Sequence, residues 1–154
     1  LKAEGYERYE ISNYAKPGKE CRHNMGYWER QNYLGFGIGA ASLVENVRFS
    51  NGRDLEQYVK NPCGMIENYQ TLSVPEQMEE TMFLGLRMTQ GVSLEAFENK
   101  FQVSLLQVYG KVVEKHEKDG LLVLKKETNG QTSLALTKRG MDVCNYVMAD
   151  FLEP

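Results

Sequence analysis

A chain of 154 residues that is 42% hydrophobic and 25% charged has the makeup of a folded protein with room for one good core or two small ones. Its longest apolar runs are a few residues, far below the ~20 that span a bilayer, so stable membrane insertion is not expected. Residues 1–74 carry nine Lys and Arg against nine Asp and Glu, residues 75–154 nine against twelve; neither half offers the cationic face that phosphates require, and a nucleic-acid partner is not expected.

Residues 6–12, YERYEIS, alternate and are rich in Tyr and Ile, which predicts a strand; a loop through Pro17-Gly18 follows, then a short helix over about 23–31. YLGFGIGAASLV and VRFS predict two strands joined at Glu45-Asn46, and Asp54 opens a helical turn that ends at Asn61-Pro62. This half has too few strands for a sandwich and too few helices for a complete α/β layer structure. From Ser73 the pattern changes to capped helices. Ser73 and Glu76 form a capping box with Pro75 in the first turn, and Met78, Met82, Gly85 and Leu86 mark one face of a helix that Gly91 ends. Ser93 caps a second helix to about Phe101. Ser104 with Gln107 opens a third, whose stripe runs from Leu105 through Tyr109 and Val113 to His116 and stops at Asp119-Gly120. LLVLKKE and QTSLALT predict a hairpin turning at Asn129-Gly130, and Thr137 caps a last helix that directs Met141, Cys144, Val147, Met148 and Phe151 inward. Helices, then a hairpin, then a helix is the order of a winged-helix-like domain, and the whole reads as α+β.

Two stretches carry chemical interest. In YLGFGIGA, a strand would place Gly35, Gly37 and Gly39 on one bare face, a cost of about 0.5–1 kcal/mol each relative to alanine that a closely approaching ligand or a crowded strand crossing would account for. The same glycines match G-x-G-x-x-A, but a hairpin follows instead of the helix that a dinucleotide fold requires. In HNMGYW, residues 23–28, a helix sets His23 over Tyr27 and Asn24 over Trp28. A histidine in a first helical turn is biased towards the neutral form that binds a metal through one ring nitrogen, and the free N–H groups there accept a carboxylate. Neutral imidazole, flat aromatic shelf and N–H donors are what a haem or another carboxylated tetrapyrrole needs. From spacing alone, His23 is a hydrogen-bonded structural histidine before it is a metal ligand. His116, on an apolar stripe, reads as a half-buried histidine bonded to a carbonyl. Cys21, Cys63 and Cys144 are too scattered for a disulfide framework or a zinc pair, and read as free thiols of a cytoplasmic protein. No Ser-His-Asp set, P-loop or metalloprotease helix is present, so no residue is assigned a catalytic role. The opening at Leu1 reads as the middle of a longer protein.

Taken together, YEISNYAKPGKECRHNMGYW, YLGFGIGAAS and VRFSN closely resemble the oxygen-independent coproporphyrinogen III oxidase-like branch of the radical S-adenosylmethionine proteins, whose members carry HNxxYW and many of which are regarded as haem chaperones. The resemblance covers essentially the whole chain. It implies that residues 1–64 are the end of a partial (β/α) barrel and residues 65–154 a winged-helix-like family C-terminal domain. It implies a haem or porphyrin ligand, with His23 as the iron ligand, Asn24, Tyr27 and Trp28 beside it, and Gly35, Gly37 and Gly39 on a ligand-facing barrel strand. It also implies a haem-accepting partner protein or, as the alternative, oxidative decarboxylation of coproporphyrinogen III; a winged-helix nucleic-acid module is a further reading, set against a third helix whose Lys111, Lys115 and Lys118 are balanced by Glu114, Glu117 and Asp119. S-adenosylmethionine and a [4Fe-4S] cluster are implied for the full-length parent. The family's cluster binds through Cys-x-x-x-Cys-x-x-Cys, which this chain does not contain.

Overall fold

A computed structural model of the protein describes residues 1–126 and 130–152. The chain divides into two compact units, Leu1–Glu29 with Met78–Pro154, and Arg30–Gln77. Helices and strands are interleaved along the chain, and the strand pairs among the described residues are antiparallel, an α+β arrangement as expected.

In the first unit, β1 (Glu7–Arg8) and β2 (Tyr14–Ala15) form a short antiparallel pair. The strand predicted over 6–12 is broken. After Arg8 the chain changes partner: Thr89 N–H donates to the Tyr9 carbonyl, Ile11 N–H to the Arg87 carbonyl, and Glu10 bridges Met88. Helix α1 (Arg22–Trp28) follows, and α2 (Leu55–Lys60), β3 (Ala41–Val44), β4 (Val47–Asn51) and β5 (Ile66–Thr71) belong to the second unit. Helix α3 (Val74–Gly85) opens in the capping box read from sequence, with Ser73 N–H donating to Glu76 at 2.7 Å, but ends at Gly85, well before Gly91. Strand β6 (Val92–Ser93), α4 (Leu94–Phe101), α5 (Leu105–Lys118), β7 (Leu122–Lys126) and β8 (Thr132–Leu136) complete a winged-helix order, with sheet order β6-β8-β7. Ser93 and Ser104 cap α4 and α5 as predicted. Of the predicted Asn129-Gly130 turn, Asn129 lies outside the described residues; Gly130 has φ 86°. The last helix is two: α6 (Lys138–Asp142), capped by Thr137, and α7 (Cys144–Ala149), separated by Val143 at φ −123°.

The core of this unit collects Met82 from α3 and Leu86 just after it, Phe97 from α4, Leu105, Tyr109 and Val113 from α5, Leu134 and Leu136 from β8, and Val147, Met148 and Phe151 from the C-terminal end. Ring pairs Phe97 with Tyr109 (6.2 Å) and Tyr109 with Phe151 (5.2 Å) run through it in tilted and edge-on geometry. Burial, with Glu79 adding to it, pushes the Tyr109 phenol up to about 12. The central strand β8 is buried at Leu134, Ala135 and Leu136 in succession, while the edge strand β7 alternates.

The second unit is a meander, β3 (Ala41–Val44), β4 (Val47–Asn51) and β5 (Ile66–Thr71), with α2 (Leu55–Lys60) between the last two. Glu45 and Asn46, at φ 49° and 64°, make the two-residue turn of a hairpin. Asp54 caps α2 through the Gln57 N–H. Strand β5, exposed at all six residues, has no alternating pattern and was not predicted. The predicted strand at YLGFGIGA is corrected: only Tyr33 pairs, with Leu43, and residues 34–40 form a loop. Gly37 at φ 101° and Gly39 at φ 68° need the left-handed region, and a Cβ on Gly35 would lie 2.3 Å from the Ala41 carbonyl oxygen. The glycines turn the chain; they do not pave one face of a strand.

Candidate functional site

Helix α1 is just under two turns long, with Cys21 at its N-cap making no side-chain cap bond. Successive helical residues diverge by about 100°, so Tyr27 and Trp28 leave the helix in different directions. His23 and Tyr27 are exposed on one side, with ring centroids 4.7 Å apart and planes at 74°, an edge-on contact that orients the imidazole. Trp28 is half-buried against Tyr9, at 6.2 Å, and beneath the Arg87 guanidinium, whose Cζ is 5.8 Å from the ring centroid. Asn24 is half-buried beside them in sequence. The aromatic shelf expected of Tyr27 and Trp28 together is thus divided: Tyr27 accompanies His23, and Trp28 anchors the helix.

The glycine loop belongs to the other unit, and its organiser is Asn51, 9% exposed. The Asn51 side-chain amide donates to the carbonyls of Gly35 (3.1 Å) and Gly37 (2.8 Å), and the Asn51 main-chain carbonyl accepts from Gly39 N–H at 3.1 Å. Gly35 N–H donates to Ser42 Oγ and Gly37 N–H to the Tyr58 hydroxyl oxygen. All three glycine amides therefore have partners within the protein. The side chains between them point out: Leu34, Phe36 and Ile38 are 60%, 86% and 45% exposed.

His116 is fully buried, and its partner is a carboxylate where a carbonyl was expected: Nε2 stands 2.9 Å from Asp150 Oδ2, which Lys115 Nζ also meets at 2.6 Å. The Lys115 ammonium, aided by His116 and opposed by burial, holds the Asp150 carboxyl below its ordinary range. With Lys118 paired to Glu114 at 2.8 Å, two of the three α5 lysines are engaged by acids. Sequence reasoning missed Asn51, Glu10, Arg87 and Asp150, whose partners all lie far along the chain or have no local pattern.

Residues 72–143 match the family model of the HemN C-terminal domain. The chain is 37% identical over 153 residues to the haem chaperone HemW of Lactococcus lactis, covering 99% of this chain and 39% of that one, and 35% identical over 155 residues to HemW of Bacillus subtilis, covering 99% and 40%. Along its whole length the chain is similar to HemN and HemW proteins. It spans about two fifths of the length of these curated relatives. A solved structure entitled coproporphyrinogen III oxidase (HemN) from Escherichia coli, a radical SAM enzyme, shares its fold with a TM-score of 0.72 at 15% identity, over 98% of this chain and 38% of that one. A radical SAM enzyme, as that title calls the structural relative, uses S-adenosylmethionine and a [4Fe-4S] cluster. The residues here do not fit a cluster: among those described no three His, Cys, Asp or Glu are grouped to hold a metal, and Cys21, Cys63 and Cys144 are free. The His23 ring, by contrast, is exposed beside Tyr27. Among the described residues no helix is long and apolar enough to cross a membrane.

Proposed function

We propose that this chain is the C-terminal part of a family member that binds haem as cargo and delivers it to an acceptor protein in the cytoplasm. On this reading residues 1–64 end the radical domain and residues 65–154 are the family's own C-terminal domain. What carries the reading is 37% identity to a haem chaperone across 99% of the chain, with the histidine of HNMGYW held out to solvent. His23 would supply a ring nitrogen to the haem iron, its plane set by Tyr27, while Trp28 and Asn24 hold the helix that carries it. The iron and macrocycle are the cargo's own chemistry. One exposed histidine gives only weak affinity, so the rest must come from burying the macrocycle on apolar surface. The second unit has exposed apolar side chains of its own, Leu34, Phe36 and Ile38, on the loop whose bends Gly35, Gly37 and Gly39 make.

Haemin titration of the full-length protein, followed by Soret absorption, tests this. His23→Ala is expected to shift the band and weaken binding severalfold, and His116→Ala, buried against Asp150, to change neither. An unchanged spectrum and affinity in His23→Ala would overturn the ligand role. Conversion of coproporphyrinogen III to protoporphyrinogen by the full-length protein would instead favour oxidative decarboxylation, in line with the coproporphyrinogen III oxidase that the structural relative's title names.

A further inference from the structure

Glu10 is fully buried, between Tyr9 and Ile11 in the chain. A carboxylate leaves water only where partners replace the water. Ser12 N–H donates to Oε1 at 2.6 Å, and the Arg87 guanidinium stands 3.5 Å from Oε2. That same guanidinium covers the Trp28 indole, which also packs against Tyr9. Two main-chain hydrogen bonds of 3.0 Å, Ile11 N–H to the Arg87 carbonyl and Thr89 N–H to the Tyr9 carbonyl, fix the two segments that bear these side chains. A buried carboxylate, a guanidinium and an indole are therefore connected in series, and the series ends on α1. Arginine suits the middle place because its planar head can pair with a carboxylate and lie over an aromatic ring at once, which lysine's point charge does less well.

We propose that Glu10 and Arg87 are positioning residues for the His23 site: Glu10 holds Arg87, Arg87 holds Trp28, and the rotation of α1 that presents His23 and Tyr27 is set by that hold. The inference rests on the haem-binding reading above for its purpose, but its geometry is tested without haem. Trp28 is the only tryptophan and His23 one of only two histidines, so both report directly. In Arg87→Met, which keeps the apolar stem and removes the charge, acrylamide quenching of Trp28 fluorescence is expected to rise, and the ring-proton resonance of His23 to move, while that of His116 stays in place. Haemin affinity should fall about threefold or more, the scale of one cation–π contact. Glu10→Gln should show the same changes more weakly, and Arg87→Lys should recover part of each. If Arg87→Met fails to fold by circular dichroism, the same measurements on Arg87→Lys and Glu10→Gln decide. Unchanged Trp28 quenching or an unmoved His23 resonance in folded variants overturns the positioning role. If both move while His23→Ala leaves haemin binding untouched, the hold on α1 stands and the haem reading falls.

Discussion

The two compact units are held by different forces. The first sequesters Phe97, Tyr109 and Phe151 at 1% exposure or less with a ring of aliphatic neighbours, so its order comes from apolar burial. In the second, the buried apolar side chains among the described residues are Leu43 and Leu72, and Asn51 takes the place of a core by bonding three glycines of one loop. The unit organised by an amide keeps most of its large apolar residues outside, as Leu34 and Phe36 are kept here.

Three measurements bear on that contrast. Phe97→Ala should cost about 3–5 kcal/mol in urea unfolding of the first unit, since a cavity is left among residues that cannot collapse into it. A cost near that of an exposed substitution would erase the distinction. Asn51→Ala should cost less, about 1–3 kcal/mol, by leaving the Gly35 and Gly37 carbonyls without their donor. Its effect should be local, seen as faster amide exchange at Gly37 and Gly39 by NMR; unaltered exchange there would mean that the loop does not depend on this amide. The smallest effect belongs to Asp150. Its folded carboxyl titrates below the ordinary range, so the stabilisation is present above that range and fades as pH falls through the lowered value. Asp150→Asn should flatten this acid limb of the first unit's stability curve, and a limb of unchanged slope would show that the Lys115 and His116 contacts contribute nothing to folding.

Local signals were the legible ones. Ser93, Ser104, Asp54 and Thr137 each cap a helix because the cap and the N–H it satisfies lie three residues apart, a distance that sequence displays. Alternation at YLGFGIGA misled because hydrophobic periodicity is blind to positive φ, and Gly37 and Gly39 are glycines for that reason. Strand β5 escaped notice because IENYQT, exposed throughout, leaves no burial pattern to find. At the candidate site, the exposure of His23 beside Tyr27 follows the i,i+4 spacing, whereas the inward turn of Trp28 depends on Arg87, on a segment that nothing in HNMGYW foretells.

Thr137 does more than begin a helix. Its hydroxyl accepts from Gly140 N–H and donates to the Gly120 carbonyl at 2.7 Å, and its N–H reaches the Leu121 carbonyl at 2.9 Å. The residue that ends β8 is thereby stitched to the residues that precede β7, closing the wing at its root. One side chain and its own amide thus clasp the junction of α5 and α6, so that the start of the last helices is tied to the end of α5 by a single residue.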